Sequence, residues 1–182
     1  MRQFYMDTNV FISRIKPDDP YHSEAKVITK SLENDEVHAE TSVLSLLEMA
    51  SVTSRLYKAR RIRGGADRER MAFIIETLKR FASIGIRFIH MSGDSPIAVR
   101  NIHATMPSIF NEAIILSLQT TLRTFDLIHL AAAKYAKQTN HELGAFVTGD
   151  REFLSRKDEL SKIMEMPILS PKEYIEGLGL RK

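Results

Sequence analysis

The stretch "MDTNVFI", residues 6–12, sets one acid between an apolar run with strand character, Gln3–Met6, and an apolar run with helical character. Alone, Asp7 has a simple reading: an acid before a helix is a common N-cap, because its oxygens accept from backbone N–H groups that have no helical partner. The arrangement recurs, however. After a strand pattern over residues 144–147, "TGDREF" sets Asp150 at a second strand-to-helix transition. Glu48 lies in a helix pattern entered from a strand pattern over 37–41. Asp126 lies in the first turn of a segment, 127–136, that is apolar nearly all round and leads into the strand at 144. A helix with no polar face belongs inside the molecule.

The remaining patterns complete the alternation. Residues 21–32, 43–56 and 71–82 read as helices, with Gly85 closing the third, and 86–91 returns to strand character. Ser95-Pro96 reads as a helix start with Pro at its first position, Pro107 as an interruption, and 109–119 as a separate apolar helix. Residues 167–169 read as an edge strand and 172–176 as a final helical turn. Alternating strands and helices predict an α/β fold with a mainly parallel sheet of about five strands. Parallel strands joined by right-handed crossovers end at one edge of the sheet, where sites form. Asp7, Glu48, Asp126 and Asp150 are therefore expected to converge.

Each acid also has a purely structural reading. Asp7 and Asp150 suit N-caps, Glu48 could close a capping box with Ser45 in "SLLE", and Asp126 could complement a helix dipole after a Thr124 cap. These readings explain the acids singly but not their shared edge. Two carboxylates about 5 Å apart at an effective dielectric of ~20 repel by roughly 3 kcal/mol, and a larger group costs several times that unless protonated or neutralised by a cation. An all-oxygen ligand set suits Mg2+ or Mn2+, and such ions assist phosphodiester hydrolysis.

Composition narrows the field. With 182 residues and 43% apolar content, one domain running 1–182 is expected. Cysteine is absent, which removes disulfides, thiolate metal sites and cysteine nucleophiles and is compatible with a cytoplasmic protein. No basic-then-apolar leader or membrane-length apolar run is evident, so a soluble chain is expected. Lys and Arg exceed Asp and Glu by only 26 to 23, but Arg55, Lys58, Arg60, Arg61, Arg63, Arg68 and Arg70 crowd around Gly64-Gly65. Such a density suits phosphate contact by several of them, although any one of these residues could be ordinary solvated surface. No GxSxG elbow or Gly-rich phosphate loop is present, and His22, His38, His90, His103 and His141 have no metal-ligand spacing. His129, one turn after Asp126, reads as a hydrogen-bonded core residue outside the site.

In order, "MDTNVFI", "TSVLSLLEMASV", "TFDLIHLAAA" and "FVTGDREFL" resemble the motifs of the PIN domain family, most closely its toxin-type members called VapC. The resemblance spans about residues 4–169, and its first and last motifs are the specific ones. It implies a three-layer α/β/α sandwich and an Mg2+- or Mn2+-dependent endoribonuclease whose matching acids are Asp7, Glu48, Asp126 and Asp150. Asn9 and Thr148 match polar positions beside the family's metal site, where they would orient a ligand or a water. The resemblance further implies an RNA substrate, a homodimer and, for toxin-type members, an antitoxin protein seated in the active-site groove. Against the compact toxins the chain is long, and residues 106–123 are expected to form an extra helical segment. An RNA-processing or turnover-deficient RNA-binding module is the alternative. A haloacid-dehalogenase-like phosphatase also has Asp after its first strand but needs a second Asp two residues later, where this chain has Asn9.

Overall fold

Gln3–Met6 forms β1 at the centre of a five-stranded sheet. Phe4 and Met6 turn to one face and Tyr5 to the other, and all three are fully buried, so the strand has apolar partners on both sides. The structure, a computed structural model, describes residues 2–60, 67–89, 93–99 and 102–179. Arg61, Arg63, Gly64, Gly65, His90 and Met91 lie outside the described residues, as do the side chains of Lys58, Arg60 and His103.

After β1 come α1 (Thr8–Ile15), α2 (His22–Glu33), β2 (His38–Ser42), α3 (Leu44–Arg60), α4 (Asp67–Ser83) and β3 (Ile86–Ile89). A hairpin follows, β4 (Asp94–Val99) and β5 (Ile102–Pro107), then α5 (Ser108–Ser117) and α6 (Thr124–Thr139). The chain ends with β6 (Leu143–Val147), α7 (Arg151–Ser155), α8 (Lys157–Met164), β7 (Ile168–Leu169) and α9 (Pro171–Leu178). The main sheet has the order β3-β2-β1-β6-β7 with every pairing parallel. From β1 the chain builds outward to β3 on one side and later to β7 on the other. The strand order therefore reverses between β1 and β6, the crevice where open α/β sheets place ligands.

Helices cover both faces. Phe4, Met6, Ala39, Ala145 and Val147 pack with Val10 and Phe11 of α1, Ile28 of α2, Phe81 of α4 and Tyr174 of α9. Tyr5 and Phe146 pack on the other face with α6, Phe153 of α7 and Leu160 of α8. The fold is thus α/β with a three-layer α/β/α arrangement, as expected. The expected buried helix is α6, in which Leu130, Ala131, Ala132, Ala133 and Ala136 are fully buried. No helix among the described residues is long and apolar enough to cross a membrane.

Three expectations need correction. Ser95-Pro96 begins no helix: both residues lie in β4, which pairs antiparallel with β5. A proline lacks a ladder donor but is tolerated where a strand has a free edge, and both strands of a two-stranded sheet have one. The segment 106–123 is helical only over Ser108–Ser117, because Met106 and Pro107 still belong to β5. Finally, Arg123 rather than Thr124 occupies the N-cap position of α6. On α4, Phe81 is buried and Leu78 packs on the core, yet Met71 and Ile75 are 56% and 46% exposed. The stripe seen in sequence is wider than the face that is covered.

The last helix is closed by a capping box: Ser170 Oγ accepts from Glu173 N at 3.2 Å, and Glu173 Oε2 accepts from Ser170 N at 2.8 Å. Lys157 Nζ adds a 2.7 Å ion pair to Glu173. The Lys157 hydrogen bond, then the Ser170 backbone bond, pull the Glu173 carboxyl from 4.5 to about 2. Its stabilisation is present above its unfolded value of 4.5 and is lost as pH falls through about 2. Ser170→Ala should cost about 1 kcal/mol, or about 2–4 °C in melting temperature. The melting gap between wild type and Glu173→Gln, followed by circular dichroism, should be widest above pH 4.5 and close near pH 2.

Candidate functional site

All four acids expected to converge line one cleft of about 500 Å3 at the C-terminal edge of the sheet. Asp7 follows β1 and Asp150 follows β6, on either side of the switch point. Glu48 is contributed by α3 and Asp126 by the first turn of α6. The structural readings of the acids separate here. Asp7 holds the N-cap position of α1 but makes no side-chain cap bond. Its Oδ2 accepts instead from Asn9 Nδ2 at 2.6 Å and Thr148 Oγ1 at 2.7 Å. Glu48 closes no box with Ser45, because its Oε2 accepts from Thr8 Oγ1 at 2.5 Å and His129 Nε2 at 2.7 Å. Asp150 alone is a true side-chain cap, accepting from Glu152 N at 2.6 Å.

Asn9 and Thr148 tie the ends of β1 and β6 together. Asn9 Oδ1 accepts from Gly149 N at 2.7 Å, its Nδ2 donates to Thr148 Oγ1 at 3.0 Å, and that hydroxyl accepts from Asp150 N at 3.0 Å. The two residues thus hold Asp7 in place and join its strand to the one that carries Asp150.

Electrostatics bind the acids into one unit. Burial, with Asp7 only 6% exposed, pushes its carboxyl up; the charges of Glu48 and Asp150 add to this, while His129 and Thr148 oppose it. Asp126 is raised from 3.8 to about 6, by burial first and then by Asp7 and Asp150. Burial also pushes Glu48 up, but the hydrogen bond from His129, its charge and Thr8 outweigh it and leave Glu48 below its ordinary value. His129 is raised in turn: burial lowers it, and the bond to Glu48 together with the charges of Asp7, Glu48 and Asp126 prevails.

A carboxyl with a folded value above its unfolded one loses stability on ionising, here between pH 3.8 and about 6 and in full above that. Asp126→Asn should therefore raise the melting temperature of the metal-free protein above pH 6, with no difference below 3.8. The side chain is partly exposed, so solvent screening holds the gain to on the order of 1 kcal/mol, about 2–4 °C.

Among the described residues, no three His, Asp or Glu side chains already stand at mutual metal-ligating spacing. Asp7, Glu48 and Asp150 are each hydrogen-bonded to donors of their own. In kind, the donor set suits a hard divalent cation: four carboxylates lining one cleft, no thiolate, and two carboxyls raised in part by their neighbours' charge.

Of the basic corner, Arg55 lines this cleft and donates to Ser51 Oγ at 3.1 Å. Arg70 turns instead to Ser54, and Arg68 is exposed. His129 is 2% exposed, the hydrogen-bonded buried residue expected, and it also lines the cleft and bonds Glu48. Thr8 and Tyr5 were not anticipated. The signal for His129 was its position three residues after Asp126, which sets both on one helix face. Comparison of the chain with protein-family models and with curated protein sequences gives no match.

Proposed function

We propose that the protein is a PIN-like endoribonuclease that hydrolyses RNA phosphodiester bonds with the help of Mg2+ or Mn2+. One observation carries the proposal: carboxylates from four segments remote in sequence line a single cleft at the switch point of a parallel sheet. Asp7, Glu48, Asp126 and Asp150 would hold the cation. When bound, a divalent ion supplies polarisation of a phosphoryl oxygen, a lowered pKa for water and stabilisation of the departing oxygen. Asn9 and Thr148 would keep Asp7 in register, His129 and Thr8 would keep Glu48, and Arg55 at the cleft wall would hold a backbone phosphate. Lys58, Arg60, Arg61 and Arg63 would extend that phosphate contact.

The toxin-type resemblance adds a homodimer and an antitoxin protein to the proposal. Leu47 and Phe125, 59% and 50% exposed, line the acidic cleft and offer an inserted antitoxin segment apolar contacts. The test is incubation of the purified protein with end-labelled single-stranded RNA in Mn2+, in Mg2+ and in EDTA. The proposal expects cleavage with a metal and none in EDTA. RNA binding without cleavage under every condition would favour the RNA-binding module instead, and neither binding nor cleavage would refute both.

A further inference from the structure

Beneath Glu48 runs a buried polar chain. Ser42 N donates to Tyr5 Oη at 3.2 Å, Tyr5 Oη lies 2.8 Å from His129 Nδ1, and His129 Nε2 lies 2.7 Å from Glu48 Oε2. Tyr5 is fully buried and His129 nearly so. Donor accounting orients the chain. An ionised carboxylate only accepts, so Nε2 carries a proton in either charge state of the ring. The Tyr5 oxygen receives the Ser42 N–H, which leaves its own proton to be given to Nδ1 of the neutral ring. With the ring neutral every member has a partner and donation runs one way, from β2 through β1 and α6 to the cleft; a protonated ring would donate from both nitrogens, and Nε2 serves Glu48 in either state.

Packing does not explain this chain. Phe and Leu would fill the same volume without burying a hydroxyl and an imidazole, whose desolvation is costly unless each is bonded. The chain ends on a carboxylate that opens onto the cleft, and Thr8 Oγ1 donates to the same oxygen, Oε2. With two donors on Oε2, Oε1 is the oxygen left for a ligand.

We propose that Tyr5 and His129 are positioning residues that lock the Glu48 carboxylate so that it meets a divalent cation through Oε1 alone. This rests on the metal-site reading above. Hydrogen-bond partners of metal ligands fix ligand orientation, and their loss typically costs 10–100-fold in metal affinity. The pair is thus expected to set affinity for the ion while leaving the fold intact.

The test is calorimetric titration of Mn2+ into wild type, Tyr5→Phe, His129→Gln and His129→Leu, with thermal melts of each and 15N-detected histidine NMR of the metal-free protein. The proposal expects Nε2 of His129 to be protonated without metal, and the Nδ1 signal to move in Tyr5→Phe. It expects His129→Leu to weaken Mn2+ binding by about 10–100-fold, Tyr5→Phe to weaken it in the same direction, and His129→Gln, whose amide can donate to Glu48, to recover most of the loss. Equal Mn2+ affinity in wild type and His129→Leu would overturn the proposal. So would equal losses in His129→Gln and His129→Leu at matching melting temperatures, or a wild-type His129 protonated on Nδ1 alone. A wild type that binds no Mn2+ would instead refute the metal-site reading itself, and the positioning role with it.

Discussion

Asp7→Asn should lower Mn2+-dependent RNA cleavage by roughly 10³-fold or more, since on the proposed function it would remove a charged ligand from the centre of the acid group rather than from its rim. Asp7 is 6% exposed, sits at the end of the central strand and receives two side-chain donors on one oxygen. The substitution keeps size and can keep an oxygen toward Asn9 and Thr148, so the fold should survive. Burial already opposes ionisation of Asp7, and a neutral amide should therefore leave the metal-free melting temperature unchanged or higher. Cleavage assays on end-labelled RNA, with parallel melts, check both halves. Wild-type cleavage by Asp7→Asn would remove Asp7 from the chemistry, and loss of activity with a large fall in melting temperature would assign it to structure.

The largest effect on stability is expected at Phe146. Its ring is fully buried in β6 between Tyr5, with centroids 5.1 Å apart, and Phe153, 5.2 Å apart, and both contacts are stacked. Phe146→Ala should cost about 3–5 kcal/mol through lost burial and an unfilled cavity. At about 2–4 °C per kcal/mol for a chain of this length, that is a fall of roughly 10 °C, read by denaturant or thermal unfolding. The stack joins β1, β6 and α7, the elements that present Asp7, Thr148 and Asp150. A loss under about 1 kcal/mol would show that the site does not depend on this layer.

The sheet and its acids could be read in sequence because they follow from short-range patterns. β1 alternates Phe4, Tyr5 and Met6 between two apolar layers, and Asp7 and Asp150 mark the chain's exit from adjacent strands. What lay hidden depended on pairing between remote segments. Pro96 suits a helix start as well as an edge strand, and only its pairing with Thr105 decides between them. Thr8 and Tyr5 carry no signal of their own, because a threonine at a helix start and a tyrosine in a strand are ordinary residues. They acquire a role when α3 and α6 bring Glu48 and His129 beside them. Even the acid group was legible only as a shared edge; the donors that hold Asp7, Glu48 and Asp150 are visible only in three dimensions.

The proposed function requires a divalent ion that neutralises this acid group. Anomalous diffraction from crystals grown in Mn2+ tests it directly. A manganese peak is expected in the cleft, coordinated by oxygens of Asp7 and at least one of Glu48, Asp126 and Asp150, with Glu48 Oε2 still bonded to His129. Full manganese in the crystal solution with no peak in the cleft, or with peaks only elsewhere on the surface, would contradict it.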